Sequence, residues 1–177
     1  MARVIEVFET SHISWAVIGT HAISLVTEPR ATVDFDFIVE SGRIDCVVRE
    51  LTAEFGALDE HDLGAVIQLR TIDIDLVRST IHPLLGIALD GARTVGDWRV
   101  PRTEVLIALK FLATIGTWRE RGKRMQDMAD ICRVCCAAAG ELDRALMLEL
   151  SKLVYPGAER EFSELLDKID RDEPISI

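Results

Sequence analysis

The sequence predicts an α/β (α+β) fold in which a strand-and-helix half, residues 1–100, precedes an all-helical half, residues 101–177. Two observations lead to this class. Short apolar or alternating runs bounded by turn residues, which are typical of strands, occupy the first half. From Pro101 onward the apolar runs have the length and spacing of helices. A hydrophobic fraction of 49% is enough for a buried core.

In the first half, helices and strands alternate. The glycines at positions 42 and 56 separate them, and apolar residues at helical spacing identify the helix between these glycines. The predicted order is helix 2–12, strand 15–18, a turn at Gly19-Thr20, helix 21–26, strand 33–39, helix 44–55, strands 64–69 and 71–77, helix 84–89, and short strand pieces within 93–100.

The second half is predicted to contain four helices. Pro101 opens the first helix, 104–115, with Thr103 as a possible cap, and this helix is apolar almost all round. A basic segment then leads into a helix that ends near residue 139. The last two helices are 142–154 and an acidic amphipathic one ending near 169. The link at 97–101 is short, so we expect the two halves to pack together.

Charge and composition exclude several classes of protein. The net charge of −10 argues against broad binding to nucleic acid, which needs a basic surface. The sequence has no apolar run long enough to span a bilayer, so we expect no membrane partner. Four cysteines fit a reduced cytoplasmic protein better than a disulfide scaffold.

Two pairs of aspartates lie on predicted strands. Asp34 and Asp36 are two residues apart, so on a strand they share one face, and Asp73 and Asp75 have the same spacing on a later strand. Like charges held this close are costly unless a cation lies between them, and carboxylate oxygens suit magnesium. The alternative is that these acids are ordinary surface residues.

The turn at Gly19-Thr20 lies between a strand and a helix. Backbone N–H groups and a hydroxyl at such a helix start can bind a phosphate. A phosphate site and a magnesium site in one short segment indicate nucleoside triphosphate chemistry.

These residues carry a family resemblance. The stretches GTHA, from Gly19, and PRATVDFD, from Pro29, resemble the signature of the nucleotidyltransferase superfamily with the polymerase-beta-like fold. The branch concerned includes nucleotidyltransferases of abortive-infection toxin–antitoxin systems and the aminoglycoside and lincosamide adenylyltransferases. The family has glycine where this chain has Thr20 and Thr27. The resemblance covers about residues 13–135 and implies a mixed sheet with flanking helices and a C-terminal helical bundle.

The resemblance also implies roles for individual residues. Asp34 and Asp36 would hold two magnesium ions. A third carboxylate, Asp75, with Asp73 as the alternative, would complete the site and act as base. The residues implied to bind the nucleotide are Gly19, Thr20, Arg30, Thr32 and Lys110. Arg30 could instead be a structural partner of Glu28 or Asp34.

Lys110 ends the sequence LIALK, which matches a family pattern letter for letter. The family continues with a basic residue and D-x-x-D, represented here by Arg124, Asp127 and Asp130. Lys110 could therefore meet the triphosphate, while Asp127 could hold Lys110 or order Arg124. The alternative is that Lys110 extends from an apolar helix to water.

Three other groups of residues have simpler interpretations. Cys132, Cys135 and Cys136 favour packing on an alanine-rich helix over a zinc site, because a complementary ligand pair is missing. His21 is expected to be hydrogen-bonded or solvent-facing. The basic residues Arg119, Arg121, Lys123 and Arg124 favour a solvated surface, or could steer a nucleotide or an RNA end.

The resulting hypothesis is a magnesium-dependent nucleotidyltransferase that moves a nucleoside monophosphate from an NTP to an acceptor hydroxyl. The acceptor could belong to a small molecule, an RNA end or a protein. Thr20 and Thr27 motivate an alternative, a non-catalytic nucleotide-binding protein that keeps the fold. A third hypothesis is a toxin–antitoxin partner that uses its acidic C-terminal helix. A protein partner or a homo-oligomer is compatible with each.

Overall fold

The computed structural model describes residues 1–29, 31–117 and 119–175. The chain divides into two compact units. The first comprises Met1–His21 and Ala31–Pro101, and the second comprises Ala22–Arg30 and Arg102–Ile177. The chain therefore enters the second unit briefly between the first two strands, before it completes the first unit.

The first unit is built on a mixed five-stranded sheet of order β1-β2-β5-β4-β3. Its strands are β1 (Trp15–Ile18), β2 (Phe35–Val39), β3 (Glu60–Asp62), β4 (Val66–Leu69) and β5 (Ile74–Arg78). The central pair, β2 and β5, is parallel, and the other neighbours are antiparallel. Residues far apart in sequence therefore meet at the middle of the sheet.

Helices and a hairpin complete the first unit. The helices are α1 (Ala2–Thr10), the start of α2 (Gly19–Ile23), α3 (Ile44–Phe55) and α4 (Pro83–Asp90), with a single 3-10 turn at Ser41–Arg43. Strands β6 (Arg93–Val95) and β7 (Trp98–Val100) form a separate antiparallel hairpin.

An aromatic cluster fills the core on one face of this sheet. Phe8 of α1 lies 5.6 Å from Trp15 and 5.2 Å from Phe37, measured between ring centroids. All three side chains are at most 1% exposed. Rings of this size bury more apolar area than any aliphatic side chain, so the cluster anchors α1 to the sheet.

The second unit is helical. Its helices are α5 (Thr103–Ile115), α6 (Arg121–Ala137), α7 (Arg144–Ser151) and α8 (Ala158–Asp170). Phe111 of α5 and Phe162 of α8 pack with ring centroids 4.6 Å apart, and Ile131 of α6 and Met147 of α7 belong to the same core. Ile107 and Phe111 place one side of the apolar helix α5 in this core.

The predicted α/β (α+β) class, with a mixed sheet, flanking helices and a helical C-terminal region, is confirmed, while several boundaries were wrong. Helix α2 begins at Gly19, two residues before the predicted start at His21. Strand β2 begins at Phe35 and not at the predicted Val33, which lies outside the sheet and is 69% exposed. Thr103 is the first residue of α5, and Arg102 occupies the cap position. Strand β3 was not predicted, since the sequence EHD lacks apolar residues.

No helix in the described part of the chain combines the length and the apolar character needed to cross a lipid bilayer.

Candidate active site

The centre of the candidate site is a pair of carboxylates at the middle of the sheet. Asp36 of β2 and Asp75 of β5 are register partners across the parallel pair. Neighbouring strands lie about 4.8 Å apart, and register partners point to the same face. Both side chains are half-buried. The fold thus brings together two acids that are 39 residues apart in sequence.

Asp75 is oriented by a neighbouring amide. Gln68 of β4 is the register partner of Asp75, and its Nε2 lies 3.3 Å from each carboxylate oxygen. A donor shared by both oxygens restrains the orientation of the carboxylate. The polar row continues through His61 of β3, which is paired with Gln68 in register.

Gly19 allows Asp36 to lie where it does. Its backbone has φ +66°, a conformation that glycine adopts without strain. A Cβ atom added at this position would lie 2.0 Å from Oδ2 of Asp36, far inside van der Waals contact. Any other residue would therefore displace the carboxylate. The start of α2 and the Asp36 side chain form one tightly packed feature.

The other two candidate acids lie just before the strands that carry the pair. Asp34 precedes β2, and Asp73 lies in the turn that precedes β5 with φ +54°. The carbonyl oxygen of Asp73 accepts a hydrogen bond of 2.9 Å from the Phe35 N–H. Both side chains are exposed. The predictions that Asp34 shares a strand face with Asp36, and Asp73 with Asp75, were wrong, because β2 begins at Phe35 and β5 begins at Ile74.

The described residues supply two of the oxygen ligands that a magnesium ion could use. Within residues 1–29, 31–117 and 119–175, no three His, Cys, Asp or Glu side chains are grouped so that they could hold a metal ion. Asp36 and Asp75 supply two carboxylates, and protein-bound magnesium commonly uses one or two, with water and substrate phosphates as the remaining ligands. The predicted participation of Asp34 stays a prediction.

His21 packs against Phe35, the first residue of β2. Its ring stacks on Phe35 with centroids 3.5 Å apart and an interplanar angle of 3°. Its Nε2 atom is buried and has no hydrogen-bond partner among the described residues. Burial lowers the pKa of His21 below its ordinary value of 6.5, which favours the neutral ring. Within the described part of the chain the expected hydrogen bond is absent at Nε2, whereas the residue is only half-buried and the solvent-facing alternative stays a prediction.

The remaining predicted nucleotide contacts of the first unit are Thr20 and Thr32. Thr20 is buried in the first turn of α2, and Thr32 is half-buried before β2. Arg30 lies outside the described residues. Thr27, the other departure from the family pattern, belongs to the second unit, where its hydroxyl donates a 3.0 Å hydrogen bond to the Ile23 carbonyl at the end of α2.

Lys110 is the centre of a buried ion-pair network within the helical unit. Its Nζ lies 2.7 Å from Oδ1 of Asp127 and 2.8 Å from Oδ2 of Asp130. The lysine is 8% exposed and each aspartate 1%. Arg119 contacts Asp127 at 2.5 Å, and Arg133 pairs with Asp130. The alternative in which Lys110 extends to water was wrong, and its contact with a triphosphate stays a prediction.

The basic residues around the start of α6 do not form one surface. Arg119 is engaged by Asp127, whereas Arg121 and Lys123 are exposed. The Nε atom of Arg124 is buried without a hydrogen-bond partner among the described residues. The sequence did not distinguish these environments, because Arg119 precedes α6 and adjacent positions within the helix point in different directions.

The three cysteines of α6 also differ in environment. Cys135 belongs to the hydrophobic core of the helical unit, Cys132 is half-buried and Cys136 is exposed. Burial raises the pKa of Cys135 to about 12, so this thiol stays protonated at neutral pH.

At the level of sequence, no known family pattern and no curated protein matches this chain. Solved structures do match. The solution structure of the antibiotic-resistance factor ANT(2'')-Ia aligns over 97% of this chain and 95% of its own, with TM-score 0.58 and 11% identity. Its crystal structure with adenylyl-2''-tobramycin covers 90% and 94%, with TM-score 0.57 and 15% identity.

A third structure shares the same architecture. JHP933 from Helicobacter pylori aligns over 97% of this chain and 75% of its own, with TM-score 0.55 and 16% identity. At such low identity the likeness concerns the fold, and residue roles have to be argued from the site itself.

Proposed function

From the premise that the chain has the nucleotidyltransferase fold, we propose that it transfers a nucleoside monophosphate from an NTP to an acceptor hydroxyl. The observation that carries this proposal is the register pairing of Asp36 with Asp75. Gly19 packs so closely against Asp36 that a side chain at position 19 would not fit. Two adjacent carboxylates beside a helix start are suited to bind a cation and a polyphosphate together.

The protein's own residues would act as follows. Asp75, held by Gln68, would accept the proton of the acceptor hydroxyl. The acceptor oxygen would then form a bond to the α-phosphorus, while the bond from that phosphorus to the bridging oxygen of pyrophosphate breaks. Gly19 and Thr20 would contact the phosphates at the start of α2, and Thr32 would contact the nucleotide.

The cofactor in this proposal is magnesium. Asp36 and Asp75 would hold it, with Asp34 as a further ligand, and a second ion is implied by the family resemblance. Bound there, the metal would neutralise phosphate charge and stabilise the entering and leaving oxygens.

The test is transfer of label from α-³²P-labelled NTPs, each supplied separately with magnesium. Acceptors should represent the three classes: tobramycin, the aminoglycoside in the ANT(2'')-Ia complex, an RNA with a free 3′ end, and the protein itself. We expect magnesium-dependent labelling of one class. Asp36→Asn and Asp75→Asn should each lower it by roughly 10²-fold or more, because a charged group or base is lost.

Asp90→Asn provides a matched control, because this aspartate is exposed at the end of α4 in the same unit. It should leave labelling unchanged. If NTP binds, measured by calorimetry, but no acceptor is labelled, the proposal fails in favour of the non-catalytic nucleotide-binding protein.

A further inference from the structure

A cavity lies between α1 and the β6–β7 hairpin in the first unit, apart from the carboxylate pair. Its volume is about 680 Å³, within the range of small-molecule sites. Ile5, Glu6 and Glu9 line it from α1, while Asp97 and Trp98 line it from the hairpin. Gly96, with φ +59°, forms the turn that places these hairpin residues beside the cavity.

Two indole rings of the lining are held in place, of which Trp15 belongs to the buried core and Trp98 is partly exposed. Trp15 donates a 2.8 Å hydrogen bond from Nε1 to Oε1 of Glu9 and packs on Phe37. Trp98 stacks on Phe35 with centroids 5.9 Å apart and an interplanar angle of 4°. An aromatic wall that is ordered before binding loses little side-chain entropy when a ligand arrives.

The side chains that line the cavity carry a net negative charge, which favours a cationic ligand. The lining contains three carboxylates, Glu6, Glu9 and Asp97, and one guanidinium, Arg99, for a net charge of −2. Glu6 comes from α1 and Asp97 from the hairpin, so a ligand with two separated cations could pair with both. The indole of Trp98 provides a cation–π surface for an ammonium group.

We propose that this cavity binds a small organic polyamine, that is, a molecule with two or more ammonium groups joined by an apolar chain. The cavity lies on the face of the sheet opposite to the carboxylate pair. Trp15 and Phe37 share that face, and Asp36, next to Phe37 on β2, points the other way. The site is therefore separate from the proposed catalytic carboxylates and does not depend on the proposed function.

Calorimetry with spermidine at 150 mM salt tests the proposal directly. We expect saturable binding that weakens as salt is raised, since the contacts are ionic. Putrescine, 1,4-butanediol and succinate each have a four-carbon chain, but they carry two positive charges, no charge and two negative charges, respectively. Comparing them shows whether binding depends on the charge of the ligand. Putrescine should bind, whereas the neutral diol and the dianion should not.

Two double variants locate the binding. Glu6→Gln with Asp97→Asn removes one carboxylate from each wall and should weaken spermidine binding by roughly tenfold, given the usual strength of exposed ion pairs. Glu40→Gln with Asp90→Asn removes the same charge from exposed positions of the same unit outside the cavity, and should leave affinity nearly unchanged. Circular dichroism confirms that both variants are folded.

A third variant separates the aromatic contribution. Trp98→Leu keeps an apolar side chain against Phe35 and should weaken binding by roughly two- to fivefold, the usual range of a cation–π contact. The proposal is overturned if spermidine shows no saturable binding, if the diol binds as well as putrescine, or if both double variants lose affinity equally.

Discussion

At the scale of single residues, Gly19 has the most demanding position in the site. The sequence indicated a glycine turn before a helix, where a phosphate could bind. The structure adds a second reason for glycine, the contact of its backbone with Asp36. This reason depends on where β2 pairs with β1, which the local sequence does not specify.

Gly19→Ala should lower the free energy of unfolding by about 2–4 kcal/mol, from the left-handed backbone and the clash with Asp36. Gly96→Ala is the matched control, because Gly96 has a similar φ of +59° and nothing within 4 Å of an added Cβ. It should cost about 1–2 kcal/mol, from the left-handed backbone alone. Urea denaturation measures both, and equal losses would show that Asp36 simply moves away.

His21 should make stability depend on pH. Its pKa is lowered by burial in the folded state, so the unfolded chain binds the proton more readily. The free energy of unfolding should therefore fall as pH decreases below about 6.5, and the loss should end once pH is below the folded-state pKa.

His21→Phe should reduce this loss, because phenylalanine keeps the stack on Phe35 and has no titrating group. Urea denaturation between pH 7.5 and pH 5.5 measures the difference between the variant and the wild type. Identical pH dependence in the two proteins would contradict the assignment.

At the scale of elements, most of the helices and strands follow from local patterns, since each pattern is a property of neighbouring residues. Strand β1 (Trp15–Ile18) and helix α3 (Ile44–Phe55) have the predicted bounds. Strand β2 was predicted to begin at Val33 because this residue is apolar. The strand is shorter, because its pairing with β5 begins at Phe35 and Val33 lies exposed beyond the last pair.

Helices α5 and α6 are joined by the buried ion pairs of Lys110 with Asp127 and Asp130. Lys110→Met should lower the free energy of unfolding by about 3 kcal/mol, because two buried carboxylates lose their shared cation. Thermal or urea denaturation measures the change.

Lys152→Met is the control for the Lys110 variant, since Lys152 pairs with Glu149 at the surface, where an ion pair contributes little to stability. A triple variant that adds Asp127→Asn and Asp130→Asn should recover part of the loss, because the carboxylates then left with only Arg119 and Arg133 as partners no longer carry a buried charge. If Lys110→Met is no more destabilising than Lys152→Met, the network does not stabilise the helical unit.

At the scale of the whole molecule, acidic charge limits the partners. With a net charge of −10, the chain should bind random-sequence duplex DNA more weakly than roughly 10⁻⁴ M at 150 mM salt, the weak end of non-specific binding. Fluorescence anisotropy with a labelled duplex measures this. Micromolar affinity with a steep salt dependence would contradict it and would point to a basic surface.

The sequence alone determined the α/β (α+β) class, the helical second half, and the candidate acids, because periodicity and residue chemistry are local properties. Only the tertiary structure decided that Asp75, and not Asp73, is the neighbour of Asp36, and that Lys110 is enclosed by Asp127 and Asp130. These outcomes depend on strand register and helix packing between distant segments, where a shift of one residue turns every side chain of a strand to the other face.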